Sequence, residues 1–136
     1  MLVFVDTNIL VYAFDPAQGE KHVLASKVCG ELLESDRICF STQVVQELYV
    51  TLTRKAGISL ETALSVLDDL SRWPVFNVDY RAIREAVVIA HDSRISFWDA
   101  LLVAAASRMG AVELLTEDLN HNQTIAGVRI RNPFKP

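Results

Sequence analysis

Four acidic residues each stand where an apolar run gives way to a helix or a loop. They are Asp6 in Val3-Phe4-Val5-Asp6-Thr7-Asn8, Glu47 in Val44-Val45-Gln46-Glu47-Leu48-Tyr49, Asp99 in Ser96-Phe97-Trp98-Asp99-Ala100, and Asp118 in Leu114-Leu115-Thr116-Glu117-Asp118. Asp6 and Asp118 closely follow candidate strands. In an open parallel sheet, ligands gather just beyond the carboxyl ends of the strands. Carboxylates crowded there repel one another unless they are protonated or neutralised by a cation. Hard divalent cations take oxygen ligands, and Mg²⁺ keeps waters while using one or two carboxylates. The pattern therefore points to a metal site.

Each motif also has a plainer explanation. Asp, Thr and Asn all favour caps and turns, so Asp6-Thr7-Asn8 reads equally as a helix cap. Glu47, opposite a stripe of Val45, Leu48 and Leu52, reads alone as a solvated side chain. Ser96-Phe97-Trp98-Asp99 fits a capping box, with the Asp99 carboxylate reaching back to the Ser96 N–H. However, Asp99 is the only charge between Ile95 and Arg108, and a carboxylate in apolar surroundings needs a partner. Thr116-Glu117-Asp118 fits a turn, and two adjacent acids point in different directions, so one of them enters a shared site. His22, His91 and His121 show no ligand spacing.

The bulk numbers set limits. A chain of 136 residues with 51% hydrophobic and 22% charged residues has the composition of an ordinary globular protein. A net charge of −4 gives no bulk signature of a nucleic-acid binder, although bound cations reverse the local sign. Cys29 and Cys39 are too few for a zinc site and read as small buried hydrophobes, with a disulfide open by spacing. Leu2–Val5 is too short for a signal-peptide core and lacks a basic leader. No segment reaches the length of a membrane span. The expectation is a cytoplasmic protein that does not enter membranes.

The elements that position the acids follow from periodicity. Leu2–Val5, Ile38–Phe40, Val75–Val78, Val112–Leu115 and Val128–Ile130 read as strands. Glu20–Glu34 reads as a helix with Leu24, Val28 and Leu32 on one stripe, and Gln43–Arg54 as another, ended by Gly57. Ser59 starts a helix carrying Ala63, Leu64, Leu67 and Leu70. Asp79 caps a helix with Ile83, Ala86, Val87 and Ala90 inward. Phe97–Met109 is apolar almost all round and is read as buried, with Gly110 as its stop. Strands alternating with helices predict a parallel sheet covered on both faces, in one domain spanning 1–136. The helical pair from Gln43 to Arg72 is an addition to a plain doubly wound fold. Tyr49, Leu60 and Trp73 lie outside its inward stripes, which predicts an interface.

Taken in order, these motifs resemble the PIN-domain ribonucleases: Asp in V-D-T-N after the first strand, Glu in the V-x-E-L-Y helix, Asp in the F-W-D-A helix, then T-x-D after the fourth strand. Within that family the chain is similar to VapC-like toxins of toxin–antitoxin pairs, most visibly over Thr116–His121 and Gly127–Phe134. The resemblance implies a three-layer α/β/α fold with a central parallel sheet of about five strands in the order 3-2-1-4-5. It implies Mg²⁺- or Mn²⁺-dependent endonucleolytic cleavage of RNA (tRNA, rRNA or mRNA), leaving a 5′-phosphate and a 3′-hydroxyl. It assigns metal-binding, catalytic roles to Asp6, Glu47, Asp99 and Asp118, with Thr7, Asn8 and Thr116 as polar supports. Many relatives carry a further acid where Asn120 stands here. Arg94, Arg54 and Lys55 are the candidates for positioning phosphates. A cognate antitoxin and a homodimer are the implied partners.

Three other readings compete. A phosphatase or phosphotransferase using Asp6 as nucleophile needs a second Asp at position 8, where Asn8 stands. A receiver-like signalling domain needs paired acids at the first strand and a lysine after the fifth, and Lys135 lies beyond Pro133. A PIN domain that binds RNA without cutting it would not need the full set of four acids.

Overall fold

The computed structural model describes residues 1–55 and 57–136. Five strands form the parallel part of a sheet: β1 (Val3–Val5), β2 (Ile38–Ser41), β3 (Val75–Phe76), β4 (Glu113–Leu115) and β6 (Val128–Arg131). A two-residue strand, β5 (Thr124–Ile125), pairs antiparallel with β6 at the edge. The spatial order is β3-β2-β1-β4-β6-β5. The expected fifth strand is thus β6, and the expected order holds with one short strand added outside it. Its hairpin turns on Ala126 and Gly127, both with positive φ (50° and 81°), which is the twist a two-residue loop between antiparallel strands requires.

The central strand β1 is fully buried and shares its register with both neighbours: Val3 faces Ile38 on one side and Glu113 on the other. Strands buried on both faces read as continuous apolar runs, and Val3-Phe4-Val5 and Ile38-Cys39-Phe40 are of that kind. Helices cover the sheet on both sides in a three-layer α/β/α arrangement. They are α1 (Thr7–Phe14), α2 (Glu20–Glu34), α3 (Thr42–Lys55), α4 (Leu60–Leu70), α5 (Tyr80–Ser93) and α6 (Phe97–Arg108), with a 3₁₀ turn at Pro16–Gln18. Helix α6 lies against β2, β4 and β6, α5 packs on α6, and α1 packs on α2. Every residue of α6 from Ala100 to Ala106 is buried, as its composition predicts. No described helix is long and apolar enough to cross a membrane.

Helix α1 is absent from the periodicity reading. Ile9-Leu10-Val11-Tyr12-Ala13-Phe14 is rich in β-branched and aromatic residues, a strand-like composition. Asp6 overrides it by capping the first turn with its side chain, and Ile9 and Leu10 are then buried. The inward stripes also differ from those expected. On α2 the buried residues are Ala25, Cys29 and Leu32, with Leu24 exposed. On α3 Val44 replaces Val45 beside Leu48 and Leu52. On α4 Ala63 and Leu70 are buried but Leu64 is exposed. On α5 Ala82 and Ala86 are buried, whereas Ile83 and Val87 are exposed. Trp73, expected outside the core, packs against it instead. Small side chains let helices approach closely, so on α2, α4 and α5 alanine shares the packed face with, or replaces, the larger aliphatics.

Candidate metal centre

Asp6 is the anchor. It leaves β1 and caps α1, with the Thr7 N–H donating to Oδ1 (2.6 Å) and the Thr116 hydroxyl donating to Oδ2 (2.8 Å). Only 4% of it is exposed. Burial pushes its carboxyl up from 3.8 to about 7, against the lowering effect of those two hydrogen bonds, and the charges of Asp118 and Glu47 add to the rise. The Thr116 hydroxyl also accepts from the Asp118 N–H (3.1 Å). One buried side chain at the end of β4 therefore orients Asp6 and fixes the turn that carries Asp118. Asn8, on the first turn of α1, donates from Nδ2 to Asp118 Oδ2 (2.9 Å).

Glu47 and Asp99 complete the group from the opposite side. Glu47 projects from α3; its carboxyl is raised by partial burial and then by the charges of Asp99 and Asp118. Asp99 lies in the first turn of α6, where its N–H donates to Ser96 Oγ (3.1 Å). Among the described residues its carboxylate makes no return bond to the Ser96 N–H, so the expected capping box is only half formed. The cap needs the Asp99 backbone and leaves the side chain free. Asp118, at the exposed rim, is raised by what covering it has and then by the charges of Asp99 and Glu117.

Two hollows meet at Asp118. One is lined by Asp6, Asn8, Tyr12, Glu47, Thr51 and Lys55, among others. The other is lined by Arg94, Ser96, Asp99, Asp118, Asn120 and Gln123, among others. Together they make one cleft across the carboxyl ends of β1 and β4, with the acids at its centre and a basic residue on each limb. Arg54 is exposed and lines neither limb. Arg94 reaches its position from a left-handed backbone (φ 54°) at the end of α5.

The donors suit a hydrated divalent cation. Among the described residues no three of Asp, Glu, His or Cys close tightly enough to enclose a bare ion. An open array of carboxylates fits Mg²⁺, which keeps several waters. Thr7 Oγ1 and Asn8 Oδ1 are buried beside Asp6 without hydrogen-bond partners, a situation that calls for a ligand or its water shell. The donor set is entirely oxygen. Cys29 and Cys39 are free, buried and line neither hollow, their thiols pushed up to about 12 by burial.

Glu117 is held out of the cluster. It accepts from the Tyr12 hydroxyl and from Lys21 Nζ (2.8 Å). Burial pushes its carboxyl up, but these two partners more than offset this and leave it below its ordinary value. Lys21 also sits over the rings of Tyr12 (4.9 Å) and Phe134 (5.2 Å), which meet edge to face. The latch ties α1, α2 and the C-terminal segment to the Asp118 turn. Glu117→Gln is therefore expected to change activity by no more than about tenfold and to leave metal affinity nearly unchanged, while Asp118→Asn removes a cluster acid. Isothermal titration with Mn²⁺ on both variants separates them; equal losses would place Glu117 in the site.

Gln43 was not legible as a site neighbour. It is buried, four residues before Glu47 on the same face of α3, and donates to the Trp98 carbonyl (3.2 Å), linking α3 to α6. The i, i+4 spacing is the signal that finds it. Tyr12, four residues after Asn8, follows from the same rule once α1 is recognised. His121 accepts from the Asn132 N–H (3.0 Å), which is a structural duty. Lys135 lines a separate hollow with Arg129, Arg131 and His121, so the lysine that a receiver-like site needs is not at the acids.

A family model described as PIN domain matches residues 3–125 of the chain. No curated protein matches it in sequence. Its fold is similar to that of a toxin–antitoxin complex from Klebsiella pneumoniae, at 20% identity over 100% of both chains and a TM-score of 0.72. It is similar to DNA-bound VapBC from Salmonella typhimurium, at 23% identity over 98% of this chain and 99% of that one, with a TM-score of 0.67. It is also similar to VapC20 from Mycobacterium tuberculosis, a sarcin–ricin loop cleaving toxin, at 23% identity over 82% of this chain and 86% of that one, with a TM-score of 0.64.

Proposed function

The chain belongs to the PIN domain family, and from that premise we propose that it is a metal-dependent endoribonuclease, the VapC-like toxin of a toxin–antitoxin pair. The observation that carries the reading is the cleft itself: Asp6, buried and raised to about 7, shares one field with Glu47, Asp99 and Asp118 between two basic limbs. A similar structure is that of a sarcin–ricin loop cleaving toxin, which supports the nuclease reading. Asn8, an amide donating to Asp118, lacks the proton chemistry that an Asp6-nucleophile phosphatase needs at that position.

Asp6, Asp118, Glu47 and Asp99 would hold Mg²⁺ or Mn²⁺. When bound, such an ion acidifies water and offsets charge on the phosphate and leaving oxygen. Thr116 and Asn8 fix the two acids at the strand ends, so that the donor geometry is set before substrate arrives. Lys55 on one limb and Arg94 on the other are placed to take phosphates flanking the scissile one. Glu47, raised in pKa and open to the cleft, is suited to accept a proton at a carboxylate oxygen as water attacks phosphorus. The bond from phosphorus to the 3′ oxygen breaks and that oxygen takes a proton from solvent, leaving a 5′-phosphate and a 3′-hydroxyl.

The test is direct. Purified protein is expected to cleave RNA with Mg²⁺ or Mn²⁺ and to lose that activity in EDTA; equal cleavage in EDTA ends the metal reading. Expressed without its antitoxin it is expected to arrest growth in the cytoplasm. Normal growth with soluble, active nuclease removes the toxin half of the proposal and leaves the nuclease half.

The antitoxin is best pictured as a segment that orders on binding. An Arg of that segment pairs with the acids through its planar fork. Its apolar side chains have a groove lined by Leu10, Phe14, Leu33, Phe40, Leu70 and Trp73. We also infer a homodimer, supported by apolar side chains left exposed on α3 and α4 (Tyr49, Val50, Leu60, Leu64) and on α5 (Tyr80, Ile83, Val87). Sedimentation at micromolar concentration should give twice the 15.2 kDa chain mass; a monomer there counts against it.

A further inference from the structure

Trp98 immediately precedes Asp99 on the first turn of α6, yet 65% of it is exposed. Other large apolar side chains are as exposed; what sets this one apart is that it is an aromatic ring next in the chain to a cleft acid, just outside the residues that line the two limbs. Its backbone and one ring edge are held. The half-buried Phe97 ring meets it edge to face, with centroids 5.1 Å apart and planes at 76°. The Gln43 amide pins its carbonyl to α3. One side of the ring is braced and the rest is open.

Resting on the nuclease reading, we propose that Trp98 is a stacking platform for a nucleobase next to the scissile phosphate, and that the substrate is an RNA strand with at least one unpaired base at that position. The charge balance favours this occupant. The chain carries −4, and among the described residues Lys55 and Arg94 are the only basic ones lining the two limbs. Beyond the phosphate at the cations, side chains can neutralise few others, so contacts that do not depend on charge add to affinity. Stacking on an aromatic ring is such a contact, and any base has a face to offer. Bases inside a continuous duplex are already stacked and cannot reach the ring. A second copy of the chain is the poorer occupant, because seating it on Trp98 would bring two acidic clusters together.

The chain has two tryptophans, and Trp73 lies in the remote apolar groove, so Trp73→Phe leaves Trp98 as the only indole fluorophore. With Asp99→Asn added to slow cleavage and Mg²⁺ present to offset the remaining acids, a single-stranded RNA oligonucleotide is expected to quench its emission, and the blunt duplex of the same sequence is not. In steady-state cleavage, Trp98→Ala is expected to raise KM about tenfold with kcat within about twofold, and Trp98→Phe to restore most of the loss. Equal quenching by strand and duplex, or an unchanged KM in Trp98→Ala, overturns the proposal. An unchanged KM together with loss of self-association by sedimentation assigns the ring to an interface between copies. If Trp98→Ala fails to fold, the quenching experiment on the intact indole still decides. If wild type cleaves no RNA, the nuclease reading fails, and the quenching experiment separately decides whether the ring binds an unpaired strand.

Discussion

Asp99→Asn is expected to lower RNA cleavage by about 10³-fold or more while leaving the melting temperature within about two degrees of wild type. Losing one charged ligand removes roughly several kcal/mol of transition-state stabilisation, and each 1.36 kcal/mol is about tenfold in rate. The stability half of the prediction comes from the cap. Ser96 Oγ accepts from the Asp99 N–H, a backbone bond that asparagine keeps. Had the carboxylate closed the capping box, its loss would cost roughly 0.5–2 kcal/mol and activity would follow stability. Circular dichroism melts and single-turnover cleavage on one variant separate the cases. A variant that cuts within tenfold of wild type would reduce Asp99 to a helix-end residue.

How much of this could be read from residue order alone depended on the range of the interaction. The acids were legible because strand ends and helix starts are local events: Asp6 after Val3-Phe4-Val5, Thr116 and Asp118 after Leu114-Leu115. The strand order was legible through the resemblance, and only the small β5 edge was added. The inward helix faces are legible only in part, because a large aliphatic next to the true stripe reads as well as a small residue on it. Ala63 and Ala86, expected inward, are buried, as are Leu32 and Leu70, but Ala25 and Ala82 take the places that the periodicity assigns to Leu24 and Ile83. Ile83 and Val87 are then left to solvent, and they supply the apolar face attributed above to self-association. Helix α1 was missed because its composition favours strand and only its cap says otherwise. The Lys21–Glu117 pair joins residues more than ninety positions apart, a distance over which no periodicity speaks. Glu117 and Asp118 could be separated in principle, since neighbours diverge, but which one faces the cleft depended on that pair.

The cost of holding Asp6 in place gives the second large effect. In metal-free protein, Asp6→Asn is expected to be more stable relative to wild type as pH rises from 5 to 8. The Asp6 carboxyl titrates near 3.8 in the unfolded chain and at about 7 in the fold. Below about 3.8 it is protonated in both states and costs nothing. Between the two values the unfolded chain has lost the proton and the fold retains it, so each rise in pH favours unfolding. Above about 7 the fold holds a buried anion and the penalty is complete. At about 1.4 kcal/mol per unit, the span corresponds to at most about 4 kcal/mol, with the larger part falling between pH 5 and 7. Asparagine does not titrate and escapes this term. It has one acceptor oxygen where the carboxylate has two, so it sacrifices a hydrogen bond from Thr7 or Thr116, a loss of about 1 kcal/mol that does not vary with pH. The sign at any one pH is therefore less informative than the slope: the gap between variant and wild type, measured by denaturant titration in EDTA, should widen steadily with pH and flatten above about 7. Mg²⁺ should then stabilise wild type and not the variant, since a cation that binds only the fold shifts stability by mass action. A gap that stays constant from pH 5 to 8 would mean that Asp6 is already ionised in the empty cleft at low pH. The strain attributed to the cluster, and with it the argument that the cleft needs a cation, would then fail.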